Sequence, residues 1–221
     1  KVYLIICIIL NLSILLIFKY GNFFISNIST VINKIGFSIS TPTIDLLLPV
    51  GISFYTFQAL GYTIDVYRKE IHAEENFIQY ALFVSFFPQL VAGPIERSGN
   101  LIKQLRESHK FDGNKVRDGL IIMLYGYFMK LVIADRIAVF VDSVYANYEE
   151  YRGWYIIVAT ILFGIQIYCD FNGYTLIARG AAKIMGFELM ENFDAPYLAS
   201  TVSEFWKRWH ISLTSWFRDY L

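Results

Sequence analysis

Only two of the 221 residues are cysteine, Cys7 and Cys169, and both lie in apolar runs without the spacing of a metal-ligand set. Each is read as a small packing hydrophobe. The three histidines form no cluster with them, and no metal site is expected. A phosphate-cradling G-x-x-x-x-G-K-[ST] loop is missing, and so is a G-x-S-x-G elbow. Gly180-Ala181-Ala182-Lys183 comes nearest to the first and lacks its spacing. These absences weigh against a nucleotide-driven pump and a serine hydrolase. Net charge is also lacking, at +0, so no basic field recommends nucleic acid as a partner. Internal repeats and low-complexity tracts are absent as well.

Apolar surface is what the chain has in excess. It is 56% hydrophobic and 18% aromatic, with mean hydropathy +0.45, against roughly 45–50% apolar for a soluble domain. The excess is segmental. Val2–Phe18 carries no charge, and as a helix its 17 residues would span roughly 26 Å, a little short of the ~30 Å hydrocarbon core. Leu46–Leu60, Phe77–Ala92, Leu120–Ile133 and Trp154–Cys169 are further candidates. Several are short enough to be tilted, re-entrant or buried among neighbours. The expected fold is all-α: one polytopic transmembrane helical domain over residues 1–221, with short re-entrant and interfacial helices. Val2–Phe18 does not read as a secretory signal, because only Lys1 precedes it and Tyr20-Gly21-Asn22 replaces a small-residue cleavage site. The first residue is not methionine and the last lies in an aromatic segment, so the chain is expected to be a piece of a longer protein.

Boundaries and orientation follow from proline, glycine and charge. Pro42 and Pro49 bracket the second apolar segment and Gly93-Pro94 ends the third. Ser108–Asn114 reads as a turn after a short charged helix, Gly99–Glu107. Pro94–Gly119 holds Arg97, Lys103, Arg106, Lys110, Lys115 and Arg117 against four acids. Ala134–Gly153, read as a loop, holds two arginines against four acids. The positive-inside rule then places the first stretch in the cytoplasm and the second outside. Trp154–Cys169 crosses back, and Asp170 begins a cytoplasmic stretch.

The most informative block is the last. Ser203–Asp219 packs Trp206, Trp209 and Trp216 with charges and a lone histidine, His210. It is too polar to span a bilayer and too aromatic for an ordinary solvated loop, which predicts an element at the membrane boundary. Read as one helix, it puts His210 on a face with Trp206, Leu213 and Phe217.

Four blocks in order carry a resemblance: Phe87-Pro88-Gln89-Leu90-Val91-Ala92-Gly93-Pro94-Ile95, Lys130-Leu131-Val132-Ile133-Ala134-Asp135-Arg136, Asp170-Phe171-Asn172-Gly173-Tyr174, and Phe205-Trp206-Lys207-Arg208-Trp209-His210-Ile211-Ser212-Leu213. Together they resemble the membrane-bound O-acyltransferase family, within it the bacterial type that O-acetylates alginate, from about Leu48 to Leu221. The resemblance implies a multi-pass protein of the bacterial inner membrane. It implies transfer of an acyl group, acetyl by analogy, from a cytoplasmic thioester (acetyl-CoA or an acyl carrier) toward hydroxyls of an exported polysaccharide or cell-wall polymer. An extracytoplasmic partner acyltransferase often completes the transfer, and no bound cofactor is implied. His210 matches one of the family's two characteristic histidines. The other lies in a later segment, so residues 1–221 alone are expected to be inactive. Leu176-Ile177 stands where many relatives carry an acidic residue.

The chemistry asks for few groups. A neutral imidazole can take the proton of a hydroxyl as it attacks a thioester carbonyl, and an aromatic wall would keep that imidazole neutral. His210 is therefore the catalytic candidate, with a boundary anchor as its plainer reading. Candidate substrate or donor contacts are Lys207, Arg208, Trp206, Trp209, Asp170, Tyr174 and Asn192. The lysine–arginine pair answers either lipid headgroups or a donor phosphate. The tryptophans are belt residues or pocket walls, and Asp170 is a helix-end carboxylate. Lys130 is expected to snorkel, and His72 and His109 to be solvated. Two other classes compete: a transporter or flippase, and a docking subunit of an export complex without chemistry of its own.

Overall fold

The computed structural model describes residues 1–36, 49–90 and 93–221. Pro42, Leu46–Leu48, Val91 and Ala92 lie outside the described residues. Among the described residues the regular structure is helical, with one isolated antiparallel bridge, Phe193 to Trp209. The chain divides into two compact units, Lys1–Ser85 and Phe86–Leu221.

In the first unit, α1 (Val2–Leu15) runs through a π-helical turn, Leu16–Tyr20, into α2 (Gly21–Lys34). The result is a 33-residue rod whose most apolar window has mean hydropathy 2.6 with none of it buried. It is long and apolar enough to cross a membrane. α3 (Ile52–Arg68) packs against α1, and the Lys19 ammonium donates to Ser53 Oγ at 3.3 Å. α3 stops at Lys69, whose left-handed φ of 64° lets Glu70 N–H close back on the Asp65 carbonyl. The segment expected over Phe77–Ala92 does not form a single helix. α4 (Phe77–Val84), capped by the Asn76 side chain, ends at Ser85, and a separate short helix follows in the second unit.

The second unit opens with that helix, α5 (Phe87–Leu90), and α6 (Ser98–Arg106), the short charged helix expected after Gly93-Pro94. α7 (Gly113–Tyr127) starts at Asp112, whose carboxylate accepts from the Asn114 and Lys115 amides. A π-helical turn, Phe128–Ala134, carries it without a break into α8 (Asp135–Ala146). The stretch read as an outside loop from Ala134 is therefore helix as far as Ala146. Asp135 and Asp142 are helix side chains, and only residues 147–153 turn. α9 (Trp154–Ile184) is 31 residues long and does not end near Asp170. That carboxylate sits mid-helix because a cation answers it. Lys130 Nζ lies 2.6 Å from Asp170 Oδ1 and 2.6 Å from Asp135 Oδ1, 5.3 Å from the centre of the Tyr174 ring. Lys130 thus bridges two carboxylates instead of snorkelling.

α7 and α9 form the central pair, and glycine sets their approach. A Cβ added at Gly126 would lie 2.7 Å from the Gly173 carbonyl oxygen, and one at Gly119 2.7 Å from that of Gly180. Only residues without a side chain allow this contact, as in membrane helix pairs generally. The spacing is seven residues on both strands of the pair, Gly119 to Gly126 and Gly173 to Gly180. On the α7–α8 rod the next buried small residue, Ala134, comes after eight, and Val141 after seven more. The π turn absorbs the extra residue, which would otherwise rotate the stripe by most of a quarter turn.

Candidate active site

Beyond Ile184 the chain reverses at Gly186 (φ 95°), with Phe187 N–H bonded to the Ala182 carbonyl. It then runs back along α9. Glu191 pairs with Arg179 at 2.8 Å. Asn192 Nδ2 donates to Thr175 Oγ1 at 3.3 Å. The Phe193 ring meets Phe171 at 5.1 Å and Tyr168 at 5.6 Å, edge to face. Tyr197 Oη donates to the Gly164 carbonyl at 2.6 Å. The partners step from residue 179 to residue 164, so the returning segment covers roughly 22 Å of α9. Tyr168, Phe171 and Thr175 fall on one helical face, and the site is built on it.

The block read as one helix is two. α10 (Val202–Arg208) and α11 (Ile211–Tyr220) are separated at Trp209 and His210. The cause is non-local. Residues 208–211 pair with the returning segment: Asp194 N–H bonds the Arg208 carbonyl at 3.0 Å and Ile211 N–H the Asn192 carbonyl at 2.9 Å. This ladder holds His210 between its rungs in a left-handed conformation, φ 44° and ψ 54°. Such geometry costs a non-glycine residue on the order of 1–3 kcal/mol and concentrates at functional sites. His210 does not share a face with Trp206 and Phe217. It caps α11, its carbonyl accepting from the Leu213 and Thr214 amides at 3.0 Å each.

The imidazole turns inward. Its ring stands edge to face on Phe171, centroids 4.7 Å apart, and Nε2 is buried with no hydrogen-bond partner among the described residues. Burial pushes its pKa down to about 4, with no neighbouring charge contributing. Across the neutral range the ring is therefore uncharged, and it faces apolar walls. Trp209 forms part of those walls, stacked on Phe205 at 5.5 Å and 17° and edge-on to Phe193 at 5.0 Å.

Asn192 is 1% exposed and its side chain is consumed within the protein. Oδ1 accepts from Ser212 Oγ at 2.6 Å and from Ser212 N–H at 3.4 Å, while Nδ2 serves Thr175. These bonds make the residue, read from the sequence as a substrate contact, a structural tie among α9, the returning segment and α11. Lys207 and Trp206 are exposed. Arg208 is held by Glu204 at 2.7 Å. The Glu204 amide donates to the N-cap Thr201 Oγ1, and its carboxylate also accepts from Ser200 N–H, a bond that with the Arg208 contact keeps the carboxyl below the usual range. Asp170 and Tyr174 belong to the Lys130 cluster on another face of α9, apart from the His210 wall.

Thr175 and Glu96 escaped the sequence reading, and Ser212, Phe171 and Lys130 were quoted there without a role in the site. The signal for Thr175 and Ser212 was a small hydroxyl amid bulky apolar neighbours. Glu96, 3% exposed, accepts from Met190 N–H and from Asn100 Nδ2 at 2.9 Å, and burial raises its pKa. Next to it, Arg97 pairs with Asp219 at 2.7 Å and lies over the Tyr220 ring at 4.7 Å. Pro94-Ile95-Glu96-Arg97 thus braces both the start of the returning segment and the end of α11. His109, expected to be solvated, is exposed but packs on Phe187 at 4.3 Å.

The chain is 40% identical to the probable alginate O-acetylase AlgI of Pseudomonas aeruginosa, over 99% of this chain and 42% of that one. It is 32% identical to the peptidoglycan O-acetyltransferase of Helicobacter pylori, over 100% and 46%, and 31% identical to the teichoic acid D-alanyltransferase of Streptococcus thermophilus, over 81% and 46%. It therefore spans less than half the length of these relatives. The model of the membrane-bound O-acyltransferase family matches residues 68–221, which include Glu96, Lys130, Asn192 and His210, and the chain belongs to that family.

Proposed function

We propose that these residues form part of a multi-pass inner-membrane enzyme that moves an acyl group, acetyl by analogy with the relatives, from a cytoplasmic thioester toward hydroxyls of an exported polysaccharide or cell-wall polymer. The observation that carries the reading is the buried, partnerless Nε2 of His210 in a strained bend that a backbone ladder holds in place. His210 takes the proton of the acceptor hydroxyl while the oxygen attacks the thioester carbonyl carbon. The carbon–sulfur bond breaks, and the thiolate leaves with the proton returned by the imidazolium. General-base assistance of this kind contributes roughly 10²–10⁴ in rate.

Orientation follows charge. The basic stretch of residues 94–119 and the turn at Gly186 lie at the same end of the α7–α9 pair, since Lys115 Nζ donates to the Gly186 carbonyl at 3.4 Å. That end faces the cytoplasm in this reading. From that end the returning segment, and His210 with it, is carried back along α9. An extracytoplasmic acyltransferase is the expected partner on the other side.

The test uses the whole protein in membrane vesicles, a thioester donor labelled in its acyl group, and the polymer. Label in the polymer that neutral hydroxylamine releases is the expected result. Export of polymer with no hydroxylamine-labile label would instead favour a transporter or docking role.

A further inference from the structure

At the α7–α9 end that carries the Gly186 turn, a cavity of about 130 Å³ is lined by Ile122, Arg179, Lys183, Phe187, Glu188 and Leu189. Arg179 and Lys183 are one helical turn apart on α9 and so share a face. Both are partly buried. Arg179 gives one nitrogen to Glu191. The Lys183 ammonium has no protein partner among the described residues, and on a half-buried side chain it remains open to an incoming anion. The cavity is preformed. The Phe187 ring is held between Phe86 at 5.0 Å and His109 at 4.3 Å, and Glu188 is fixed by two backbone bonds with the Gln104 side-chain amide. A free ammonium beside a guanidinium, in a cavity lined by polar as well as apolar groups, fits a phosphate group.

The spacing to His210 narrows the ligand. His210 packs on Phe171, eight residues from Arg179 and twelve from Lys183 on the same helix. That is about 12–18 Å along the axis, the reach of an extended pantetheine arm between its phosphate and its sulfur. We propose that the Arg179–Lys183 cavity anchors the phosphate of a phosphopantetheine-borne acyl donor, so that the thioester at the far end of the arm comes to His210. The anchor thereby moves from Lys207 and Arg208 to α9, because Arg208 is committed to Glu204 and Lys207 lies out on the surface. Coenzyme A and an acyl carrier both present this arm. The inference rests on the acyl-transfer reading for its purpose, and its binding test stands apart from catalysis.

The experiment measures binding of 4′-phosphopantetheine and of pantetheine to the whole protein in phosphatidylcholine nanodiscs. Wild type is expected to prefer the phosphorylated form at least tenfold. Lys183→Gln should bring that preference to within about twofold, and Lys183→Arg should keep most of it, with melting curves confirming that both variants fold. His210→Gln should retain the full preference, which separates this site from the assignment of the base. Competition with coenzyme A and with a phosphopantetheinylated carrier protein identifies the source; displacement by either supports the site. Equal binding of the two probes by wild type, or an undiminished preference in Lys183→Gln, overturns the proposal. So does a preference that vanishes when phosphatidylglycerol replaces phosphatidylcholine, since the cavity then holds a lipid headgroup.

Discussion

His210→Gln in the whole protein is expected to lower acyl transfer by roughly 10²–10⁴, the contribution of a general base, while the protein still accumulates in the membrane. Glutamine keeps much of the size and some hydrogen bonding of histidine but cannot take a proton. Its Cβ meets the same left-handed backbone, which the ladder of residues 192–194 with 208–211 imposes whatever the side chain. Nε2 is unbonded, so its loss strands no partner among the described residues. Stability should therefore change little. The measurement is ester content of the polymer, with blotting of membrane fractions alongside. Near-wild-type ester content would make His210 a positioning or anchoring residue.

Ser212→Ala is expected to cut the rate about tenfold or more without removing any group that touches substrate. It deletes the 2.6 Å hydroxyl donor to Asn192 Oδ1 and leaves that buried oxygen with one long amide contact at 3.4 Å. The cost, roughly 1–3 kcal/mol for a buried acceptor left poorly satisfied, falls on the tie that closes the bend around His210. Thr175→Val removes the hydroxyl at the other end of Asn192 and should act in the same direction. Combined with Asn192→Ala, neither should add its full effect, because all three groups serve one network. A role in folding alone would lower protein amount and leave the pH dependence of the remaining activity unchanged. Positioning predicts a further change. As the bend loosens and water enters, the His210 pKa climbs from about 4 toward its ordinary value, and the acid limb of the rate profile moves up with it.

How much of this was legible in the sequence differs from element to element. The apolar runs announced helices, and the Asn76 and Asp112 caps and the Gly186 turn use familiar residue chemistry. The length of α9 was not legible, because Asp170 reads as a helix end until Lys130, forty residues earlier, is brought beside it. Likewise the acids after Ala134 suggested a loop, although Asp135 shares that lysine inside a continuous rod. The seven–eight–seven spacing of Gly119, Gly126, Ala134 and Val141 does lie in the sequence. It acquires meaning only opposite Gly173 and Gly180. His210 was identified by the block of residues around it. Its conformation was hidden, because the bend comes from pairing with a segment that helical periodicity from Trp206 to Phe217 ignores. The same blindness hid the internal tie that Asn192 makes to Thr175 and Ser212. The i,i+4 spacing of Glu204 and Arg208 was present in the chain and explains why Arg208 is occupied. Lys183 lay in a stretch set aside as a failed phosphate loop, with Arg179 just before it, and only the turn of Phe187–Leu189 back onto α9 gives the pair walls.

Burial of His210 has consequences for stability as well as rate. A neutral imidazole with a pKa near 4 when folded and about 6.5 when unfolded binds fewer protons in the native state. Its contribution to stability is thus full above pH 6.5 and is lost as pH falls from there toward 4. The same figure sets the most direct test of the central claim, that His210 is a base kept neutral by burial. That test is kcat/KM of the purified whole protein measured from pH 8 down to pH 5.5, which reports the free enzyme's essential base. A base with a pKa of about 4 predicts a flat profile over that range. A loss of about tenfold by pH 5.5, as an ordinary histidine of pKa near 6.5 would give, contradicts it.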